Sequence, residues 1–504
     1  MAAIRPDRRQ VVAGAGAALA AGAARGQGAW SAGPVAHLLP TAGHDALRLT
    51  VTTTRPLGTP PRLVGGPRAA TARPTADGGR YWRFDLGGLR PSTAYDLRIE
   101  TEAGATDAWT LRTLPAPDAA PGRLRILAFT CAGGADGPRN LAISARRRLL
   151  ARGLSFSPDV AIVNGDHVYW DQDTAFRRPS GAETRALQAQ IGLLDPAAGP
   201  ASAENLRIVA EVGRRQIADL YRTDLRSTPV WFIRDDHDYF ENDEFNDGAG
   251  TFPPTGFRRA LTDALQAMYW PPFLDGAGLP GGGTSFGALR WGRLAEVLLY
   301  DCRGYLTDQG FLPPSVEAWI ERRTRDARVR HVIPSPSTPW GWTAGKWGEW
   351  YPDVLDADGK LTTARAKAGW KAAWFEQHQR LLKLAGSRGR PAVALSGDLH
   401  AVGLGRIDAS GGLKPAHPVH MVLTGPLGTG PPGFPSAFRG TRPQVAQAIQ
   451  MATVLEPQER NGFTIVDVAP DEIRLRLFAW RPPEPVEAIE TLAPIVDVTI
   501  PMES

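Results

Sequence analysis

Three short segments of the chain carry side chains of the kind that hold metal ions. In "NGDHVYWD", residues 164–171, Gly165 permits a sharp turn that aims Asp166 outward, and Tyr169 follows three residues later. In "DDHD", residues 235–238, Asp236 and His237 set a carboxylate oxygen beside an imidazole nitrogen. In "SGDLH", residues 396–400, Asp398 and His400 are two apart, so an extended segment turns both to one side. Taken singly, a Gly-Asp pair is ordinarily a capped turn, and a buried histidine is ordinarily just hydrogen-bonded. Taken together, the carboxylates of three buried strand ends would repel one another and lose hydration, at roughly several kcal/mol each. A shared cation removes that cost. Carboxylate, imidazole and phenol form a mixed oxygen and nitrogen donor set for it.

Rigid elements must position these groups. The segments "RLRILAFTC", "PDVAIVNGD", "TPVWFIRDDHD", "LAEVLLYDC" and "PAVALSGDLH" are continuous apolar runs, as expected of strands covered on both faces. Between them, "NLAISARRRLLARG", "AENLRIVAEVGRRQIADLYR" and "AAWFEQHQRLLKLAG" repeat apolar residues at three- and four-residue spacing, the period of a helix. Strands alternating with helices predict an α/β fold for residues 123–504. Ligands in such folds gather at the carboxyl ends of the strands, and the polar clusters lie there. Residues 34–117 read differently. "ALRLTVTTT", "YWRFDLGGLRPSTAYDLRIET" and "WTLRTLPAP" alternate apolar and polar residues between turn signals, which predicts a small β-sandwich. Leu89 and Tyr95 bracket a corner resembling that of fibronectin type III and immunoglobulin-like sandwiches. "PAPDAAPG" then marks a boundary near Pro115–Gly122.

Around the three clusters lie residues with two readings. Asp235 and Asp238 flank the Asp236–His237 pair and are expected to orient it. Glu241, Asp243, Glu244 and Asn242 form either a solvated acidic loop or a calcium-retaining one. The Trp-rich stretch "STPWGWTAGKWGEWYPD" is either a packed surface loop or an aromatic wall beside the site. The Gly/Pro-rich "TGPLGTGPPGFP" reads as a rim loop without chemistry of its own. There are two cysteines, Cys131 and Cys302, each following a predicted strand. A disulfide is one reading, and a buried thiol at Cys302 the other.

At 504 residues, 43% hydrophobic and 22% charged, the chain has multi-domain length and a globular composition, which excludes global disorder. Of its net charge of +5, Arg5, Arg8, Arg9 and Arg25 against Asp7 place +3 in the first 29 residues. The rest is nearly neutral and carries no nucleic-acid motif. The paired Arg8-Arg9 before an Ala/Gly/Val run predicts an export signal over residues 1–29, of the twin-arginine type. Cleavage is expected between Ala23 and Ala29. No segment is apolar for long enough to span a bilayer stably. The expected location is periplasmic or secreted, with the twin-arginine machinery as export partner.

As a set, "GDHVY", "DDHD" and "SGDLH" resemble the motifs of the calcineurin-like metallophosphoesterases. They resemble more closely the PhoD-type alkaline phosphatase/phosphodiesterase family, whose strand-terminal cysteine matches Cys131 in "LAFTC" and whose Gly-Asp-x-x-Tyr tyrosine matches Tyr169. The terminal "NGFTIVDVAPDEIRLRLF" is similar to that family as well. Ala132 and Asp238 depart from its usual residues without removing a ligand. The resemblance implies a four-layer sandwich of two mixed β-sheets flanked by helices, holding Fe3+ with one or two Ca2+. It makes Cys131, Asp166, Tyr169 and His400 the iron ligands, with Asp166 bridging to a second metal that Asp236 and Asp398 help hold. His237 becomes the proton donor to the leaving oxygen. Arg303, in "LLYDCRGY", becomes a phosphate contact, and Trp347, Trp350 and Tyr351 a wall for the organic part of the ester. The implied activity is hydrolysis of small phosphate monoesters or diesters by metal-activated hydroxide attacking in line. Two rivals stand beside it: a phospholipase D-like phosphodiesterase on the same site, and a non-enzymatic cell-surface binding module with a structural metal.

Overall fold

A strand with two apolar faces must lie inside a layered molecule, so the order of strands decides which of their ends come together. The computed structural model describes residues 30–137, 139–170, 182–241, 243, 245–246, 248–276 and 278–502. The expected export signal at residues 1–29, together with Asn242 and Glu244, lies outside the described residues.

The N-terminal region contains β1 (Val35–Ala42), β2 (Leu47–Thr53), β3 (Arg62–Val64), β4 (Tyr81–Leu86), β5 (Ala94–Thr101) and β6 (Trp109–Arg112). β2 pairs antiparallel with β1 and β4, and β5 pairs antiparallel with β3 and β6 in a second sheet. Tyr95 closes the corner before β5: its hydroxyl accepts a hydrogen bond from the Arg90 N–H at 2.9 Å. The Pro115–Gly122 connection runs within one compact unit, Ala32–Ser504.

The larger part begins with β7 (Leu124–Phe129), α1 (Ile143–Leu154), β8 (Val160–Asn164), α2 (Ala203–Gly213) and β9 (Val230–Ile233). Next come α3 (Gly256–Tyr269), β10 (Phe286–Trp291), β11 (Ala295–Tyr300), α4 (Pro314–Thr324) and β12 (His331–Pro336). They are followed by α5 (Ala372–Ala385), β13 (Ala392–Ser396), β14 (Val402–Ser410), β15 (Val419–Thr424) and β16 (Ile449–Gln458). The chain closes with β17 (Asn461–Val468), β18 (Glu472–Trp480) and β19 (Val496–Pro501). A six-stranded sheet has the order β9-β8-β7-β17-β18-β19. Its β7, β8 and β9 are parallel, and β17 joins β7 antiparallel. A four-stranded sheet has the order β13-β15-β14-β16, and a three-stranded sheet β10-β11-β12. The fold is mixed α/β, with several sheets and few helices.

Each of the five apolar runs forms a strand, and their burial explains why. β8, β9 and β13 are buried at every position. The helices start where local chemistry allows. Ser202 caps α2 by accepting from the Asn205 N–H at 3.3 Å, and Pro314 opens α4, where its missing N–H costs nothing. The helical pattern over 203–222 is interrupted: α2 passes into a π-helical turn at Arg214–Ala218. Such turns concentrate at functional sites, and this one carries Gln216 toward the strand ends that bear Cys131 and Tyr169.

Burial also sets an acid limit on stability. His37 on β1 is fully buried against Tyr269, ring centroids 5.8 Å apart, with no hydrogen bond to either ring nitrogen. Burial pulls its pKa down to about 3, and burial does the same to His167 and His378. The unfolded chain takes up these protons near pH 6.5 and the folded chain does not. Their contribution is therefore complete above about pH 6.5 and is lost as pH falls toward 3, by about 1.4 kcal/mol per pH unit per histidine. His37→Leu is expected to flatten the fall in melting temperature between about pH 6 and pH 4. An unchanged slope in a thermal-unfolding series would contradict this.

Candidate metal centre

The carboxyl ends of β7, β8, β9 and β13 meet at one place. Cys131 follows β7, Asp166 follows β8, Asp236 and His237 follow β9, and Asp398 and His400 follow β13. Four of these side chains sit on backbone with positive φ: Cys131 (+46°), Asp166 (+58°), Asp398 (+66°) and His400 (+50°). Such conformations cost about 1–3 kcal/mol each and persist only where the surroundings impose them. Here the surroundings are neighbouring strand ends. Cys131 N–H donates to the Gly165 carbonyl at 3.1 Å, and Gly165 N–H to the Ile233 carbonyl at 2.8 Å. Gly165 itself must be glycine: its φ is +76°, and a Cβ there would meet the Asp235 Cβ at 2.5 Å.

The side chains converge as the backbone dictates. Cys131 Sγ lies 3.3 Å from Asp166 Oδ2, and Tyr169 Oη lies 3.1 Å from both Asp166 Oδ2 and His400 Nε2. His400 Nδ1 donates to the Gly433 carbonyl at 2.6 Å, which leaves the Nε2 lone pair facing the cluster. Three sets of donors have atoms within 4.8 Å of one another: Cys131/Asp166/His400, Asp166/Asp236/His237 and Asp235/Asp236/Asp398. The second set shares Asp166 with the first and Asp236 with the third, so the three form a chain.

Charge is what this arrangement must manage. Burial and the adjacent Asp166 charge push the Cys131 thiol and the Tyr169 phenol well above their ordinary pKa values. Alone, both groups keep their protons; a cation at this point would displace them. Asp166 Oδ1 and Asp236 Oδ1 are buried without a hydrogen-bond partner. Orphaned anionic oxygens beside a thiol, a phenol and two imidazoles are what a metal pocket presents, and the residues fit one.

Two cations already occupy the third set. Lys346 Nζ lies 2.6 Å from Asp398 Oδ1, 3.1 Å from Asp236 Oδ2 and 3.3 Å from Asp243 Oδ2. Arg303 is fully buried, with Nε 3.0 Å from Asp235 Oδ1 and Nη2 2.7 Å from Asp243 Oδ2 and 3.3 Å from Asp398 Oδ2. Its Nη1 donates to the Gly348 carbonyl at 2.6 Å. Burial opposes the charge on Asp236, but Lys346, His237 and Arg303 hold its carboxyl below the usual range. Burial and the neighbouring Asp398 and Asp236 charges drive Asp235 up despite Arg303. Asp243 therefore belongs to a buried ion-pair network, not to a solvated loop. Arg303 is expended on carboxylates and does not face the cleft, contrary to the phosphate contact the sequence suggests.

Other residues set the loops: Asp238, expected from the sequence to orient the Asp236–His237 pair, and Arg146 and Gln216, which formed no sequence pattern. Asp238 accepts four backbone N–H groups, those of Asp166 and Asp235 on Oδ2 (both 2.9 Å) and those of His167 (2.9 Å) and Val168 (3.1 Å) on Oδ1. It locks the β8 and β9 ends together. Burial and the Asp166 charge push its pKa up to about 8 against those bonds. Arg146 of α1, fully buried, donates to the carbonyls of Ala132, Gly133 and Gly134 at 3.1, 2.9 and 2.6 Å and so holds the Cys131 loop. Gln216 Oε1 accepts from Gly134 N–H (2.6 Å) and Tyr169 N–H (2.8 Å), joining that loop to the tyrosine.

A narrow cleft opens over the centre, lined by His237, Lys346, Asp398, His400, Phe438 and Arg439. The aromatic wall expected from Trp347, Trp350 and Tyr351 is not there. Trp350 is fully buried and stacks on Phe311, centroids 3.9 Å apart, while the buried Tyr351 bonds His378 Nε2 at 3.0 Å. Trp347 packs edge-on against Trp374. These rings anchor the loop whose Glu349 accepts the Lys346 N–H at 2.8 Å and so aims that lysine. The exposed aromatic is Phe438, 48% accessible, and Arg439 beside it has no carboxylate partner among the described residues. Both follow the Gly/Pro-rich segment that also supplies the Gly433 carbonyl. Cys131 and Cys302 are free thiols, with no disulfide between them.

No family model matches this sequence, and no curated protein does. Among solved structures, one described as "Structure of PhoD" matches with a TM-score of 0.58 at 14% identity, over 88% of this chain and 86% of that one. The chain has the PhoD fold. At that identity the likeness establishes the architecture, and the chemistry rests on the residues above.

Asp238→Asn tests the backbone clamp. One amide group would face two N–H donors, leaving them buried without acceptors, each at about 1–3 kcal/mol. The expected loss is about 2–4 kcal/mol of stability in urea unfolding. A loss below about 0.5 kcal/mol would show that the clamp is dispensable.

Proposed function

We propose that the protein is an exported, metal-dependent hydrolase of phosphoric esters, of the PhoD alkaline phosphatase/phosphodiesterase type. One observation carries this reading: a thiol, a phenol, a carboxylate and an imidazole from three strand ends converge on one buried point, where Asp166 Oδ1 has no hydrogen-bond partner. Cys131, Asp166, Tyr169 and His400 would hold a transition metal, as their donor types suit, and Asp166 with Asp236 and Asp398 a second ion on oxygen donors; the PhoD resemblance makes these Fe3+ and Ca2+. Such cations, when bound, neutralise phosphate oxygens and acidify water for in-line attack on phosphorus.

The chain's own groups do the rest. Arg439, in the cleft wall, binds phosphate oxygens and orients the ester. His237 delivers a proton to the departing oxygen. Phe438 at the rim contacts the organic part. In the same reading, the sheets of the larger part are the inner layers of a four-layer sandwich. Residues 34–117 are a fibronectin-III-like domain ahead of the catalytic domain, residues 123–504. Residues 1–29 direct twin-arginine export to the periplasm or beyond.

Metal-loaded protein is expected to hydrolyse p-nitrophenyl phosphate or its bis-ester and to lose that activity on chelation. Arg439→Ala is expected to raise KM roughly tenfold with little change in kcat. Tyr169→Phe is expected to lose the visible absorption of an iron(III) phenolate. Preference for the bis-ester would assign a phosphodiesterase. Binding of these esters without hydrolysis, or hydrolysis undiminished by metal removal, would overturn the proposal in favour of a binding module.

Lys346 enters the same reading as a resident cation in the Asp235/Asp236/Asp398 set. Lys346→Met is expected to bind one more equivalent of Ca2+ than the native protein in equilibrium dialysis. Equal stoichiometry would refute that role; no metal bound by either protein would refute the metal reading itself.

A further inference from the structure

Four strands that end near the candidate metal centre begin at a second charged feature. β7, β11, β12 and β13 deliver Cys131, Arg303, Ser337 and Asp398 beyond their carboxyl ends. Their amino ends follow Gly122, Leu294, Arg330 and Arg390, and all four of these residues line one basin enclosing about 700 Å3. That volume falls within the range of about 300–1,000 Å3 usual for small-molecule sites. The stretch from Arg390 to Asp398 crosses the molecule along β13. At about 3.3 Å per residue, this sets the basin on the order of 20 Å from the centre.

The basin is lined by Arg293, Arg325, Arg328, Arg330, Arg388 and Arg390, with no carboxylate among its described lining residues. Three of the six have carboxylate partners outside the lining: Arg325 with Glu321 (2.8 Å), Arg328 with Asp326 (2.9 Å) and Arg330 with Asp471 (2.6 Å). Arg388 is tied to the carbonyls of Thr324, Asp326 and Val329. Arg293 and Arg390 have no ion pair among the described residues, and Arg390 Nη1 is buried without a hydrogen-bond partner. Burial and the adjacent Arg390 pull Arg388 below its ordinary pKa against Asp326 and Glu296, and burial and Arg330 do the same to Arg390 against Asp471, so the nearby carboxylates only partly offset the crowding of these guanidiniums. Guanidinium forks match phosphate oxygens in pairs. Apart from Thr324 and Ser387, the remaining wall is apolar, with Pro121, Leu294, Val329 and Pro470, and suits an organic body rather than a bare ion.

We propose that this basin binds a small organic phosphate at a site separate from the metal centre, with Arg293 and Arg390 as its principal contacts. The site does not depend on the hydrolase reading. The probe is phenylphosphonate, which has an apolar ring and a doubly ionisable phosphorus group and no ester bond to cleave. Calorimetric titration of the metal-loaded protein is expected to reveal a basin site whose affinity falls at least tenfold in Arg293→Ala/Arg390→Ala. Ala327→Glu, which adds a carboxylate to the exposed rim and removes no guanidinium, is expected to weaken the same site. Ester hydrolysis should be unchanged in both variants. Inorganic phosphate is expected to bind the basin more weakly, because it leaves the apolar wall unused. Unaltered phenylphosphonate affinity in both variants would overturn the site, and equal affinities for the two probes would overturn its organic selectivity.

Discussion

The structure is organised around buried negative charge that must be compensated. Asp166, Asp235, Asp236, Asp243 and Asp398 lie almost wholly out of solvent at the ends of apolar strands. Two like charges about 4 Å apart repel by about 4 kcal/mol even at an effective dielectric constant near 20. Lys346 and Arg303 answer that repulsion on one side of the cluster. On the other side, Asp166 Oδ1 and Asp236 Oδ1 remain unpaired, beside a thiol and a phenol that burial keeps protonated. The fold balances part of this charge with side chains and leaves these two oxygens without a partner.

That division explains the supporting structure. Four strained backbone positions aim donors inward, and strained positions hold only when clamped. The clamp is polar and buried: Asp238 joins two strand ends through four N–H groups, Arg146 gathers the carbonyls after Cys131, and Gln216 ties that loop to Tyr169. The hydrogen bonds these residues make turn costly buried polar groups into a source of defined geometry. The Gly433 carbonyl does the same for His400 by fixing which ring nitrogen carries the proton.

The strand ends also separate two kinds of charge. Carboxylates collect beyond the carboxyl ends of β8, β9 and β13, and guanidiniums collect at the amino ends of β11, β12 and β13. The arginines nearest the metal centre and those in the basin therefore have different environments. Arg303 is enclosed by acids and is absent from the lining of the cleft. Arg439 at the cleft and Arg390 in the basin lack such partners, so their charge is available.

The donors, the strands that carry them and the helical periods were legible in the sequence, because continuous apolar runs and Gly-Asp or Asp-His endings are local patterns with local causes. Cys131 as a ligand came from resemblance, since a lone cysteine after a strand has no spacing to interpret. The roles of the cations were not legible. Arg303, Lys346 and Arg439 are each one basic residue near aromatic or glycine-rich sequence, and which of them meets acid and which meets the cleft depends on contacts across up to about a hundred residues. The same holds for the tryptophans: Trp350 and Tyr351 look like a wall by composition and are core by position. Residue type and period determine what chemistry and which elements are possible. Only tertiary packing decides which charges neutralise one another, because Coulomb energy and desolvation depend on distance in space and not on order along the chain.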